Sequence, residues 1–140
     1  MQNLTEDDDL QAFYYSVHRI FYSDYYLTAV SWSNDGLTAA VNWMNRAQDT
    51  AIVSLCVSPA WICTEAFRET LSGWSSLYSP AVFSANSSSF LIRAPVLDGD
   101  SGSFQQIAVV DEDLSPHFLP GLGHIEVETI LGWDEKQQKM

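Results

Sequence analysis

At 140 residues, 46% of them hydrophobic and with five Trp, six Tyr and seven Phe, the chain can bury a single-domain core and does not read as disordered. Eighteen acidic residues against six basic ones give a net charge of −12, which disfavours nucleic-acid binding, where phosphates call for Lys and Arg, and suits a solvated surface. No apolar run reaches the ~18 residues of a membrane-spanning helix, and the acidic start (Met1 to Asp9) is not a signal peptide. A targeting segment for a secreted or anchored parent is therefore expected outside the chain.

Residues 1–9 are polar. From Leu10 to Phe21 the apolar positions Leu10, Phe13, Tyr14, Val17, Ile20 and Phe21 recur at helical spacing, yet their aromatic content fits a strand equally well. Strand signals begin at Tyr26. In the run ending at Ser33, Thr28, Val30 and Trp32 are expected on one face, followed by a tight Asn34-Asp35-Gly36 turn. Next, Leu37, Ala39, Val41 and Trp43 share a face, with Thr38, Ala40, Asn42 and Met44 opposite. Ala51 to Val57 and Ile62 to Arg68 supply a third and a fourth strand. A second set follows with shorter signals: Ala81 to Ser84, Ser89 to Pro95, Phe104 to Val110 and His117 to Pro120. The alternation of Ile125, Val127, Thr129 and Leu131 opens a third.

Three segments repeat one pattern about 50 residues apart: Trp32-Ser33-Asn34-Asp35-Gly36, Phe83-Ser84-Ala85-Asn86-Ser87-Ser88 and Trp133-Asp134-Glu135-Lys136. Each has an aromatic residue followed by a small or polar turn after an apolar run, the mark of a repeated supersecondary unit. The predicted fold is all-β, a partial β-propeller of about two four-stranded antiparallel blades plus the first strand of a third. Such propellers need about four to eight blades to close. Two would leave edges and apolar faces bare, so the chain is expected to be a piece of a larger protein and marginal or aggregation-prone alone.

Cys56 and Cys63 end and begin adjacent runs. Antiparallel pairing across the short loop would set them opposite each other, within disulfide range; two buried thiols are the other option. Closing that loop is worth about 2.5 kcal/mol in the chain-entropy model. The sequons Asn3-Leu4-Thr5 and Asn86-Ser87-Ser88 agree with an oxidising, secretory setting and mark Asn3 and Asn86 as glycan acceptors.

Asp24-Tyr25-Tyr26-Leu27-Thr28-Ala29-Val30-Ser31-Trp32, with Val41-Asn42-Trp43-Met44-Asn45-Arg46-Ala47-Gln48, resembles the N-terminal β-propeller of the dipeptidyl peptidase IV family. The Cys56…Cys63 pair, Ser72-Gly73-Trp74, Asp98-Gly99-Asp100 and Ile130-Leu131-Gly132-Trp133-Asp134-Glu135 follow in the family's order. The likeness spans roughly Asp24 to Lys136, leaving residues 1–23 as an unmatched extension before a propeller portion at 24–140. It implies an eight-bladed propeller ahead of an α/β-hydrolase domain and release of N-terminal dipeptides with Pro or Ala second. It further implies peptide substrates, homodimers, and a secreted or plasma-membrane-anchored parent, although the family also has cytosolic members. Cys56–Cys63 matches a family disulfide; a second one, in the following blade, has no counterpart between Ser103 and Pro120. The family's Phe-Arg pair on the extended substrate side corresponds to Tyr78 and Ser79, which makes Tyr78 a candidate substrate-binding aromatic and removes the Arg donors.

Catalytic residues are not expected here. The Gly-x-Ser-x-Gly elbow that this chemistry requires is absent, as are the family's paired glutamates, which Glu126 and Glu128 do not match. Gly99-Asp100-Ser101-Gly102 imitates a trypsin-like nucleophile segment, but His18 is the sole upstream His and lacks its context. The acidic groups Glu6-Asp7-Asp8-Asp9 and Asp98-Gly99-Asp100 lack calcium-loop spacing, and His117 and His124 lack metal-ligand partners. No cofactor or metal is expected. The sequence thus predicts a non-catalytic propeller portion of a serine exopeptidase, with a catalytically dead relative acting as a protein-interaction module as the alternative.

Overall fold

The computed structural model describes residues 25–73, 79–97, 99–119 and 124–135. The ambiguous segment Leu10 to Phe21 lies outside them. Two four-stranded antiparallel sheets form, each an up-and-down meander in chain order. The first comprises β1 (Tyr25–Trp32), β2 (Thr38–Asn45), β3 (Thr50–Val57) and β4 (Ile62–Thr70). The second comprises β5 (Val82–Phe83), β6 (Phe90–Leu97), β7 (Ser103–Val110) and β8 (Pro116–Phe118). This is the arrangement of two propeller blades that do not close on themselves. The third unit is represented by residues 124–135, which carry an isolated bridge at Asp134 in place of a strand ladder.

The alternation read along β2 is obeyed. Ala40 and Met44 enter the core shared with the second sheet, while Ala39, Val41 and Trp43 enter a separate core on the opposite face. A strand buried on both sides shows a nearly continuous apolar run, and β2 is buried from Ala39 to Met44. β1 departs from strict alternation. Its register skips between Leu27 and Ala29 against β2, so Thr28 sits in a bulge, and two-residue periodicity holds only beyond it. A second irregularity falls between Val53 and Ser54, against β4.

The joint between the sheets explains the alanine content. Ala40, Ala51, Ala66, Ala81, Ala94 and Ala108 share one cluster with Phe90, Ile92, Val53, Val110 and Met44. Small side chains bring the sheets together, and the larger ones fill the gaps between them, as close packing requires. Phe90, only 2% exposed, is the largest buried residue of this joint and meets Phe83 at 5.9 Å between ring centroids. Truncating a buried Phe typically costs about 3–5 kcal/mol.

On the far face of the second sheet, Leu91, Ile107 and Val109 pack beneath Val127, Ile130 and Trp133. The covering segment is tied down by polar contacts. Val127 N–H donates to the Gln105 carbonyl at 2.7 Å, Gln106 Nε2 to the Ile125 carbonyl at 3.0 Å, and Arg93 to the carbonyls of Val127 and Glu128. The third unit therefore begins as a cover over the second.

Candidate functional site

The repeated turns are built alike and then joined. In the first, the Ser33 hydroxyl donates to Asp35 Oδ1 at 2.6 Å, and that oxygen also receives Leu37 N–H. Thr38 N–H donates to Ser33 Oγ, and Gly36 N–H closes the turn on the Ser33 carbonyl at φ 72°. In the second, Ser84 Oγ donates to Asn86 Oδ1 at 2.8 Å, which also receives Ser88 N–H. Ser89 N–H donates to Ser84 Oγ, and Ser87 N–H closes on the Ser84 carbonyl at φ 63°. Glycine adopts that left-handed geometry without steric cost; serine adopts it less readily. Each short polar side chain thus replaces water for an orphan backbone N–H.

The joints cross between units. Asn34 Nδ2 donates to the Ser84 carbonyl at 2.8 Å, and Asn34 N–H to Ser87 Oγ at 3.1 Å. One repeat further on, Ala85 N–H donates to Glu135 Oε1 at 2.8 Å. Equivalent backbone groups at 34 and 85 therefore each reach a side chain of the following turn. This polar ladder is the structural content of the 50-residue period.

Beside the second joint lies a cleft of about 580 Å³ whose walls include Asn86, Ser89, Asp111, His117, Trp133 and Glu135. On its wall Asp111 receives Ser89 Oγ at 3.2 Å on one oxygen and lies 3.4 Å from His117 Nδ1 on the other. The residue types are those of a hydrolytic triad, but the wiring differs. The carboxylate stands between the hydroxyl and the imidazole, so it takes the serine proton's hydrogen bond itself. Nucleophilic attack requires the imidazole to face the hydroxyl as its base. Reading along the sequence missed this group because Ser89 just precedes β6, Asp111 just follows β7 and His117 lies on β8, so that they meet only through pairing; Val109 opposite His117 is the register that sets it.

The candidates named from sequence fall as follows. Cys56 and Cys63 are register partners and form a disulfide. It is buried beside Trp61, which meets Trp32 edge-to-face at 5.4 Å. Asn86 is an exposed residue at the β5–β6 turn. Asn3, Tyr78 and His18 lie outside the described residues; the neighbouring Ser79 carbonyl accepts a hydrogen bond from Asn42 Nδ2 at 2.9 Å. Gly99–Ser101 is a short 3₁₀ turn between β6 and β7, a loop position as expected. Glu126 and Glu128 are exposed, and His124 stacks on Phe104 at 5.3 Å. Among the described residues, no group of three or more His, Cys, Asp or Glu is placed to hold a metal ion, and no helix is long and apolar enough to cross a membrane.

Comparison with known proteins adds sequence and fold evidence. Residues 8–140 match the family described as the dipeptidyl peptidase IV (DPP IV) N-terminal region. The chain is 34% identical over 123 residues to "Inactive dipeptidyl peptidase 10" of Mus musculus and 33% identical to that of Rattus norvegicus, in each case over 84% of this chain and 15% of the relative. The chain therefore spans about a seventh of the length of these relatives. A solved structure of a "putative dipeptidyl aminopeptidase IV" from Bacteroides ovatus superposes with a TM-score of 0.54 over 65% of this chain and 12% of that one. At 16% identity this likeness speaks to fold. Blade geometry, repeated joints and the match across nearly the whole chain lead to one conclusion: the chain belongs to the dipeptidyl peptidase IV family, through its N-terminal propeller region.

Proposed function

We propose that this chain is a non-catalytic stretch of propeller wall in a dipeptidyl peptidase IV-like protein, limiting access to an interior chamber and helping to seat a hydrolase domain. The observation that carries this reading is the repeated joint, in which Asn34 and Ala85 pass equivalent hydrogen bonds to the next turn. Such a device extends an array of blades. Incubating residues 1–140 with a Gly-Pro or Ala-Pro amide should give no turnover above buffer. Robust turnover would overturn the reading.

Two parent proteins fit. One releases X-Pro or X-Ala dipeptides from peptide N-termini, with Tyr78 lining the extended side of its pocket, and works as a homodimer, secreted or anchored on the outer face of the plasma membrane. The other is an inactive member whose propeller serves as a protein-interaction module. The mammalian relatives' own name, "Inactive dipeptidyl peptidase 10", favours the second. The buried Cys56–Cys63 bond supports an oxidising compartment for either. In the parent's hydrolase region, a Gly-x-Ser-x-Gly elbow followed by Asp and His identifies the enzyme, and a replaced Ser the interaction module.

A further inference from the structure

We propose that Asn86 carries an N-linked glycan, which makes the β5–β6 turn a solvent-facing end of the blades. Three observations converge. Asn86 opens the sequon Asn86-Ser87-Ser88 and is exposed at a hairpin tip, the setting in which an oligosaccharide has room. Among the described residues its side-chain hydrogen bonds all run through Oδ1, which receives Ser84 Oγ, Ser88 N–H and Ser88 Oγ, the last at 2.7 Å. Nδ2, the atom that bonds to the sugar, takes no part in holding the turn.

The first unit supplies the third observation. Asp35 fills the equivalent place and performs the same structural task with a carboxylate oxygen. The fold at this position therefore needs only the acceptor, and the amide nitrogen is what Asn86 adds. The Ser88 hydroxyl, required by the sequon, already rests on the carboxamide. Because Asn86 also stands on the wall of the 580 Å³ cleft, the glycan rises at the rim of that cleft and keeps this end from packing against another protein.

This inference rests on the extracytoplasmic reading above, and the test separates the two. The full chain, carrying a secretory leader, is expressed in a eukaryotic cell, and its peptides are mapped after glycosidase treatment in ¹⁸O water. The expected result is labelled aspartate at position 86, abolished in Ser88→Ala and in Asn86→Asp, the latter keeping the acceptor oxygen and the turn. Unmodified Asn86 in chains whose Cys56–Cys63 bond has formed overturns the site, as does a glycan confined to Asn3. Glycosylation with the added leader, but none on the parent protein in its native cell, overturns the compartment and leaves the site standing.

Discussion

The two blades share central strands of equal length and differ at their borders. β2 and β3 match β6 and β7 at eight residues each, whereas the outer pair shrinks from eight and nine residues (β1, β4) to two and three (β5, β8). Proline accounts for much of the contrast. Pro80 precedes β5, and β8 opens on Pro116; a residue without an N–H cannot donate to a ladder. Pro95 is tolerated inside β6 because β5 pairs only with Phe90 and Leu91 and has ended before it. The borders are then secured differently. The first blade has a covalent staple between β3 and β4. The second has no cysteine and relies on residues 124–135 laid across its face. A blade is thus defined by its middle strands, and its edges can be held by any available means.

Phe90→Ala should give the largest loss, about 3–5 kcal/mol in urea unfolding. Because Phe90 belongs to the joint, amide exchange should accelerate in both sheets; acceleration confined to the second would break the claim of a shared core. Replacing both cysteines by serine should cost about 2.5 kcal/mol and loosen β3 and β4 while leaving β6 and β7 protected, a sharper version of the same comparison. Asn34→Ala removes the side-chain bonds to Ser84 and Ala85 and should cost about 1 kcal/mol. Ser87→Ala removes the side-chain acceptor of the Asn34 N–H, so exchange at that amide should accelerate in this variant, and unchanged exchange would argue against the ladder.

The smallest effect concerns acid. The Ser33 hydroxyl, and after it the Leu37 N–H, hold the Asp35 carboxyl below its ordinary range. A carboxylate whose pKa is depressed on folding contributes stability that is complete above its unfolded pKa and vanishes as pH falls through the folded value. Acidification should therefore lower the protection of Leu37 N–H against exchange, measured relative to an unstructured amide at the same pH. Ser88 N–H, held by the neutral Asn86, should show no such step, and Asp35→Asn should abolish the difference. Equal acid sensitivity at both turns would overturn the equivalence.

Much of the fold was legible because its signals are local. Alternating side chains placed β2 and its two faces, small polar residues placed the turns, and the short Cys56–Cys63 loop brought those residues opposite each other. The bulge at Thr28 was not legible, since a register skip depends on the partner strand. The Ser89-Asp111-His117 group also escaped, because Ser89 and Asp111 flank β6 and β7 while His117 lies on β8, and nothing within any one of these segments signals the others.

From its residues alone, this protein's all-β class, its 50-residue period and its lack of the hydrolase elbow were determined, because strand alternation and motif spacing are written along the chain. The tertiary structure alone decided that Asn34 reaches Ser84 and Ser87, that Asp111 stands between its two partners, and that residues 124–135 cover the second blade. Those contacts follow from how the sheets stack and pair, and stacking is fixed by packing between faces that lie tens of residues apart.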